Sequence, residues 1–416
     1  MNAATRRSLV AAAAALAAPA LARNGNGRVV VVGGGFGGAT CARALRRAGL
    51  DVALVEPERT YTACPMSNAV VAGLRGMEEQ RFGYDALRRE GVSVVHQAAT
   101  AIDAEARRVT LADGTGFGYD RLVLAPGIEV RFDALPGYDE RAAGAMPHAW
   151  KAGAQTDLLR RQLETMEDGG TVVISAPANP YRCPPGPYER ASLVAHYLKA
   201  RKPRSKLILL DAKDAFSKQR LFEAAWASLY PGLLEHVPLS SGGAVTAVDA
   251  ATLTLSTDFG GHRASVANVI PPQRAGRIAR LAGAADRSGW CPIDPATFES
   301  RLRPGVHVVG DAAIAGAMPK SAFAAAAQAK ACAGAVAALL RDEAPAPPKL
   351  INTCYSLVAP DHGISIAGVY RPADGLLAEV EGAGGASPQD APRPAREAEA
   401  RYAEDWFRTA TADAFG

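Results

Sequence analysis

Three cysteines stand where a sulfur could react. Cys183 lies in Arg182-Cys183-Pro184-Pro185-Gly186-Pro187, just ahead of a helix expected over 188–199. Beside an arginine and a helix N-terminus, its thiolate is expected to be favoured. Cys354 lies in Ile351-Asn352-Thr353-Cys354-Tyr355-Ser356, beyond the proline-rich linker 344–348. Cys64 lies in Tyr61-Thr62-Ala63-Cys64-Pro65-Met66-Ser67-Asn68. The competing reading for each is a small buried hydrophobe, and Cys41 and Cys332, in expected helices beside small residues, take that reading outright. Cys291 is given no chemistry. Six cysteines in 416 residues are too few for a structural framework, and no Cys-x-x-Cys-His is present to attach haem.

The elements that must position these sulfurs begin with a dinucleotide motif. Val29 to Val32 form a β-branched run suited to a strand buried on both faces. Gly33, Gly35 and Gly38 then fit G-x-G-x-x-G, with a helix expected over 39–48. Gly33 allows the turn, Gly35 lets the backbone approach a pyrophosphate, and Gly38 lets helix and strand pack closely. A second strand, 51–56, ends in Glu56, 23 residues beyond Gly33 and near the spacing of a ribose-binding acid. Far downstream, Val306-His307-Val308-Val309-Gly310-Asp311 precedes an alanine-rich helix. That pattern resembles the second FAD motif of flavoproteins with two dinucleotide domains, where the Asp binds the ribityl chain. FAD, rather than NAD, is therefore the expected cofactor. Otherwise Asp311 is only a helix cap.

A second α/β unit follows. Strands are expected at 169–175 and 206–211, the latter ending in Asp211. Between them, where a nicotinamide site needs a glycine loop, stands the proline-laden 176–187. Prolines are bulky and lack N–H donors, so this segment cannot cradle a pyrophosphate. The unit is expected to keep its architecture and to have lost its nucleotide. The chain divides into an export signal (1–22), a discontinuous FAD domain (23–135 and 266–343), a nicotinamide-like domain (136–265) and a C-terminal interface domain (344–416). The fold class is α/β: two Rossmann-like domains of the disulfide-reductase flavoprotein type, plus a C-terminal α+β domain.

Composition narrows the partners. Hydrophobic residues are 48% and charged residues 21%, which excludes disordered and fibrous classes. The formal charge is +4, from 46 basic and 42 acidic residues; removal of Arg6 and Arg7 with the signal leaves +2. So weak a balance gives no reason to propose nucleic acid. Arg6-Arg7 precedes fourteen uncharged residues, Leu9 to Ala22, ending in Ala20-Leu21-Ala22. That run is too short to span a bilayer and reads as a cleavable signal, with twin-arginine export favoured over an ordinary secretory route. A periplasmic location, oxidising enough to keep a disulfide, is the expectation. No later segment reads as an integral membrane span: 322–340 is broken by Gln328 and Lys330, and 381–395 reads as a surface loop. No metal site is expected.

At this point the chain resembles a known family. Arg182-Cys183-Pro184-Pro185-Gly186-Pro187-Tyr188-Glu189-Arg190, Asn352-Thr353-Cys354-Tyr355-Ser356 and Pro271-Pro272-Gln273-Arg274-Ala275-Gly276 closely resemble the flavoprotein subunit of flavocytochrome c sulfide dehydrogenase. So do Pro147-His148-Ala149-Trp150-Lys151-Ala152-Gly153 and Gly289-Trp290-Cys291-Pro292. The resemblance runs from the first glycine motif to the region of Trp406. It implies that Cys183 and Cys354 form a redox-active disulfide beside the flavin, with Glu189 an acid close to it. It implies a thioether from Cys64 to the flavin 8α-methyl, and a separate c-type cytochrome subunit that carries the haem. Cys64 departs from the family pattern in its neighbours, Ala63 and Pro65, where threonine and tyrosine are typical.

The implied chemistry is oxidation of sulfide, largely HS⁻ near neutral pH. HS⁻ attacks the disulfide, leaving a persulfide and a thiolate. FAD then accepts an electron pair and hands electrons singly to the cytochrome, and the product is zero-valent sulfur or polysulfide. Arg182, Arg190 and Lys320 are candidate sources of positive field, and Glu189 either manages a proton or caps its helix. Two alternatives remain. A sulfide:quinone oxidoreductase would need a membrane-facing C-terminus, whereas 393–416 is rich in Arg and Glu with Tyr402, Trp406 and Phe407 available for packing. A non-enzymatic flavoprotein assisting a sulfur-oxidation system would not need the cysteine pair.

Overall fold

The computed structural model describes residues 27–416, so the export signal expected over 1–22 lies outside the described residues. The first sheet is parallel throughout. Its strands are β1 (Arg28–Val32), β2 (Asp51–Val55), β3 (Ser93–Val95), β4 (Arg121–Leu124) and, from far downstream, β9 (Val306–Val308). Their spatial order is β9-β4-β1-β2-β3. Val29, Val30 and Val31 are fully buried because β1 is an interior strand of a parallel sheet whose two faces are both covered by packed elements. The arrival of β9 beside β4 brings Gly310 and Asp311 to the same sheet end as the glycine motif.

Helix α1 (Phe36–Arg47) starts three residues earlier than expected, with Gly35 as its N-cap. Gly33 has φ +101°, in the left-handed region. A Cβ on Gly38 would sit 1.7 Å from the Gly33 carbonyl oxygen, so only glycine lets the helix approach the strand this closely. Helix α4 (Ala322–Leu340) packs along α1, and its alanines allow that approach. Among the described residues α4 is the one helix long and apolar enough to cross a membrane by length and composition, and more than half of it is buried inside the fold.

The middle sheet is also parallel: β5 (Thr171–Ala176), β6 (Lys206–Asp211), β7 (Leu234–Val237) and β8 (Val266–Val269), in the order β7-β6-β5-β8. Strand β8 corrects the expected boundary at 265/266. Its residues pair with Val172–Ser175, so the middle unit continues through Val269. Strand 273–275 then pairs antiparallel with 128–130, and Glu129 binds both Arg274 and Arg280 where the chain crosses back. Helix α2 (Gly186–Arg201) begins two residues before the expected helix; Pro187 sits in its first turn, where the missing N–H costs nothing.

The C-terminal unit is antiparallel: β10 (Leu350–Ala359), β11 (His362–Ala373) and β12 (Leu376–Glu379), covered by α5 (Arg393–Phe415). Trp406 stacks on Phe323 at the start of α4, and Phe407 is buried. Tyr402, expected to pack, is 54% exposed. The packing role falls to Phe415, whose ring meets Phe36, Tyr61 and Phe82 at 5.1–5.5 Å. The last turn of α5 thereby fastens the C-terminus onto the first domain.

Candidate active site

The three units meet around one cavity. The expected residues Gly33, Gly35, Glu56, Cys64, Cys183, Glu189, Asp311 and Cys354 all line it. Gly38 does not; it serves the packing beneath.

At the dinucleotide end, Glu56 accepts a 2.7 Å bond from the Gly34 N–H, and Tyr84 donates to the Gly34 carbonyl. The Glu56 carboxylate thus sits at the end of β2, on the cavity wall, where a ribose hydroxyl could reach it. Toward the other end, Asp311 is half-buried, and its buried Oδ1 finds no hydrogen-bond partner among the described residues. A buried carboxylate oxygen left unpaired costs stability unless a ligand donates to it. Burial also pushes the Asp311 carboxyl above its usual range. Together with the glycine cradle, this orphaned oxygen fits the ribityl chain of FAD. Gln328 from α4 accepts the Gly310 N–H and fixes the loop that carries Asp311.

The cysteine end is assembled from all three units. Cys183 sits in the turn before α2, with φ +57°, and its N–H donates to the Lys320 carbonyl. Cys354 lies mid-strand on β10. Asn352, two residues earlier on the same face, donates Nδ2 to Cys354 Sγ at 3.3 Å. Ser321, the N-cap of α4, donates to Asn352 Oδ1 at 2.7 Å and accepts from the Ala324 N–H. Cys64 Sγ accepts from the Ala152 N–H at 3.5 Å and lies 3.9 Å from the Trp150 carbonyl. Both cysteine sulfurs expected to pair are present as thiols in this structure.

The favoured thiolate expected at Cys183 is not what the environment provides. Burial pushes this thiol well up, and the neighbouring Glu189 and Cys354 push the same way, outweighing Arg182 and Lys218. The three candidate cations also divide. Arg182 faces Asp311 and donates to the Trp150 carbonyl. Arg190 is fully committed: it donates to Asn68 Oδ1, Asn268 Oδ1 and the carbonyls of His148 and Ala149, and lies over the Trp150 ring. Lys320 does not line the cavity. It donates to the carbonyls of Asp311 and Ala313 above the Trp290 ring, and burial lowers it to about 8.

Glu189 does not cap its helix. Its carboxylate accepts from Asn68 Nδ2 and from the Leu357 N–H of β10, both at 2.8 Å. Burial raises its pKa against those two hydrogen bonds. The carboxyl therefore joins α2 to the strand bearing Cys354. Asn68 and Lys218 were not singled out by sequence; Asn68 closes the quoted Cys64 segment, and Lys218 carried no signal at all.

The nucleotide corner of the middle unit is filled by side chains. Asp211, fully buried, accepts from Tyr188 (2.7 Å) and Lys213 (2.5 Å), with His236 at 3.3 Å. Phe216 stacks on Tyr188 with ring centroids 3.7 Å apart. Among the described residues no group of three or more His, Cys, Asp or Glu is placed to hold a metal ion.

Comparison with known proteins identifies the family. The family model for the central region of the sulfide dehydrogenase (flavocytochrome c) flavoprotein chain matches 156–271, and that for its flavin-binding region matches 346–415. The pyridine nucleotide-disulphide oxidoreductase model matches 27–168. A sulfide dehydrogenase (flavocytochrome c) flavoprotein chain sequence from Chlorobaculum thiosulfatiphilum is 56% identical over 48 residues, 11% of this chain and all of that sequence. The chain belongs to this flavoprotein family. Flavocytochrome c flavoproteins share their fold with wider groups. A mitochondrial sulfide:quinone oxidoreductase of Dictyostelium discoideum is 24% identical over 49% of this chain and 43% of its own. A probable ferredoxin reductase of Castellaniella defragrans is 38% identical over 27% of this chain and 29% of its own. The chain thus spans less than half the length of these two curated relatives. The sulfide:quinone oxidoreductase structure of Aquifex aeolicus superposes with a TM-score of 0.73 at 18% identity, covering 93% of this chain and 92% of that one. Putidaredoxin reductase gives 0.66 at 19% identity, covering 91% and 93%.

Proposed function

We propose that this chain is the FAD-bearing subunit of an exported enzyme that oxidises hydrosulfide through a Cys183–Cys354 disulfide and delivers electrons to a c-type cytochrome partner. The observation that carries the reading is the convergence of Cys183, Cys354, Glu189 and Cys64 on the cavity that Gly33, Gly35 and Asp311 line. Where a nicotinamide site would need a glycine loop stand the prolines of 176–187, and Asp211 is already taken up by Tyr188, Lys213 and His236.

Bound FAD supplies the site with an acceptor that takes an electron pair and gives up electrons one at a time. Gly33 and Gly35 would hold its pyrophosphate, Glu56 its ribose and Asp311 its ribityl chain. Cys64 is placed to hold it through a thioether. The protein's own sulfurs perform the first step: HS⁻ breaks the disulfide, leaving a persulfide on one cysteine and a thiolate on the other. Glu189, buried and with its pKa raised, can carry a proton beside them. The sulfur leaves as zero-valent sulfur or polysulfide. Export to the periplasm would keep the disulfide oxidised between turnovers.

The test is anaerobic mixing of the purified protein with sulfide and, separately, with NADH. Sulfide alone is expected to change the visible flavin spectrum. Rapid bleaching by NADH with no response to sulfide would overturn the reading. The fold likeness to the Aquifex quinone enzyme makes quinone the competing acceptor. Reoxidation by cytochrome c is expected to outpace reoxidation by a soluble quinone, and the reverse order would reassign the partner.

A further inference from the structure

Lys218 immediately precedes helix α3 (Gln219–Leu229) and holds a left-handed backbone, φ +63°. Its side chain is 92% buried, being only 8% exposed. The ammonium donates to the Cys354 carbonyl at 2.9 Å and to Ser356 Oγ at 2.7 Å, both on β10, and lies 5.8 Å from the Phe222 ring centre. The titratable groups around it are Cys354 on β10, Glu189 on α2, Cys183 in the turn before α2 and Glu399 on α5. With Arg190 committed to Asn68, Asn268 and backbone carbonyls, and Arg182 turned toward Asp311, Lys218 is the cation anchored to the strand of Cys354.

Asn352 adds a second donor on that side. Its Nδ2 points at Cys354 Sγ, and its Oδ1 accepts from the Ser321 hydroxyl. Cys183 sits in a turn facing the Glu189 carboxyl, within the fields of both Arg182 and Lys218, and among the described residues no side-chain N–H donates to its sulfur. A sulfur anion formed at Cys354 would therefore have a direct side-chain N–H donor.

We propose that Lys218 and Asn352 make Cys354 the leaving thiolate, so that hydrosulfide attacks Cys183 and its sulfur ends there as the persulfide. The proposal rests on the disulfide reading above. In the step, the Cys183–Cys354 bond breaks and a new bond forms between the hydrosulfide sulfur and Cys183 Sγ. The proton stays on the incoming sulfur, and the electron pair of the broken bond goes to Cys354 Sγ. The sulfide sulfur is oxidised to the persulfide level and Cys354 is reduced, so no further oxidant enters. Lys218 acts through the Cys354 backbone and the local field, which makes it a positioning residue.

The experiment uses the purified flavin-loaded protein, anaerobically. It is mapped first without reductant, then treated with one equivalent of sulfide, alkylated and analysed by peptide mass spectrometry. The expected result is one added sulfur on the Cys183 peptide and alkylated Cys354. Added sulfur on Cys354 overturns this inference and leaves the disulfide reading standing. Absence of any Cys183–Cys354 linkage before sulfide overturns both. In a second arm, the rate of Cys354 alkylation in the reduced protein is measured at one near-neutral pH. Lys218→Met is expected to slow it about tenfold, and Lys218→Arg to restore most of it. An unchanged rate in Lys218→Met overturns the role of the lysine. The first arm needs no variant, so a Lys218→Met protein that fails to fold does not shield the proposal.

Discussion

Glu189→Gln is the substitution whose effect the geometry fixes most tightly. The carboxylate accepts two hydrogen bonds, from Asn68 Nδ2 and from the Leu357 N–H. A glutamine has one acceptor and one donor end. Whichever way its amide is placed, an NH₂ meets one of those two donors. Asn68 cannot rotate to relieve it, because its Oδ1 is held by Arg190 Nε at 3.0 Å. One donor is left unsatisfied relative to the ionised carboxylate, which costs about 1–3 kcal/mol in hydrogen bonding, and the protonated acid, with one O–H and one acceptor oxygen, carries the same loss. The cost should depend on pH in a definite direction. The folded pKa of Glu189 is raised above 4.5 by burial, so the folded state keeps the proton to higher pH than the unfolded state. Its contribution is fully present below pH 4.5 and declines as pH rises through the folded value. The parent and Glu189→Gln should therefore lie close together near pH 4.5, and the parent should lose stability relative to the variant as pH rises and Glu189 ionises. Urea midpoints of both proteins between pH 4.5 and 8 measure it. The same variant should flatten the pH dependence of the sulfide-induced spectral change. Equal midpoints across that range, with an unaltered pH profile, would refute the reasoning about this carboxyl.

Three further outcomes follow from other parts of the molecule. Flavin should stay with the acid-precipitated parent polypeptide and be released from Cys64→Ser, as fluorescence of the supernatant would show; release from both would remove the thioether. Asp211→Ala strands Lys213 and the Tyr188 hydroxyl in a buried corner, so its urea midpoint should fall by the equivalent of about 3–5 kcal/mol, with no gain of NADH reactivity. His148 is lowered to about 4, chiefly by burial with Arg190 adding to it. The unfolded state takes up a proton near pH 6.5 that the folded state refuses until about 4, so stability falls through that window as pH drops, by about 3 kcal/mol at most. His148→Gln should remove that part of the acid lability, as urea midpoints at pH 4.5 and 7 would show.

The parts of the site that sequence revealed are those where one local segment carries both position and chemistry. Gly33, Gly35 and Gly38 announce a turn that only glycine can make, and Glu56 closes the same βαβ unit. The reading of 176–187 is equally local, since prolines lack the N–H donors of a phosphate cradle without reference to anything distant. What sequence could not convey was burial at the junction of units. Cys183 has the local marks of a reactive thiol, an arginine and a helix start, yet Glu189 and the closing strand β10 reverse their effect. Lys320 looked like a field source and is bound to two backbone carbonyls instead. Lys218 reaches Cys354 from 136 residues away, a relation no spacing rule contains. The boundary error at 265/266 has the same origin: β8 is assigned to its sheet by pairing with Val172–Ser175, not by any mark in its own sequence.

Asn68 explains how a buried guanidinium and a partly buried carboxyl can lie side by side here without pairing directly. Glu189 and Arg190 are adjacent on α2, and a direct ion pair would hold the carboxylate ionised. Asn68 stands between their side chains instead, giving Nδ2 to Glu189 and Oδ1 to Arg190. The guanidinium is then satisfied by amide and carbonyl oxygens, from Asn268, His148 and Ala149. The carboxyl receives only two neutral donors, so desolvation decides its state and raises its pKa. The same arrangement separates two duties. Arg190 locks the 148–150 segment that bears Trp150 against α2, and Glu189 is left as a proton-holding group between the cysteine-bearing turn and the cysteine-bearing strand. An Asn68→Asp change would break this separation. A carboxylate at position 68 would attract Arg190 more strongly and face Glu189 with like charge, raising Glu189 further and moving the pH dependence of the sulfide reaction to higher pH. A shift to lower pH would mean that Arg190, not burial, governs the acid.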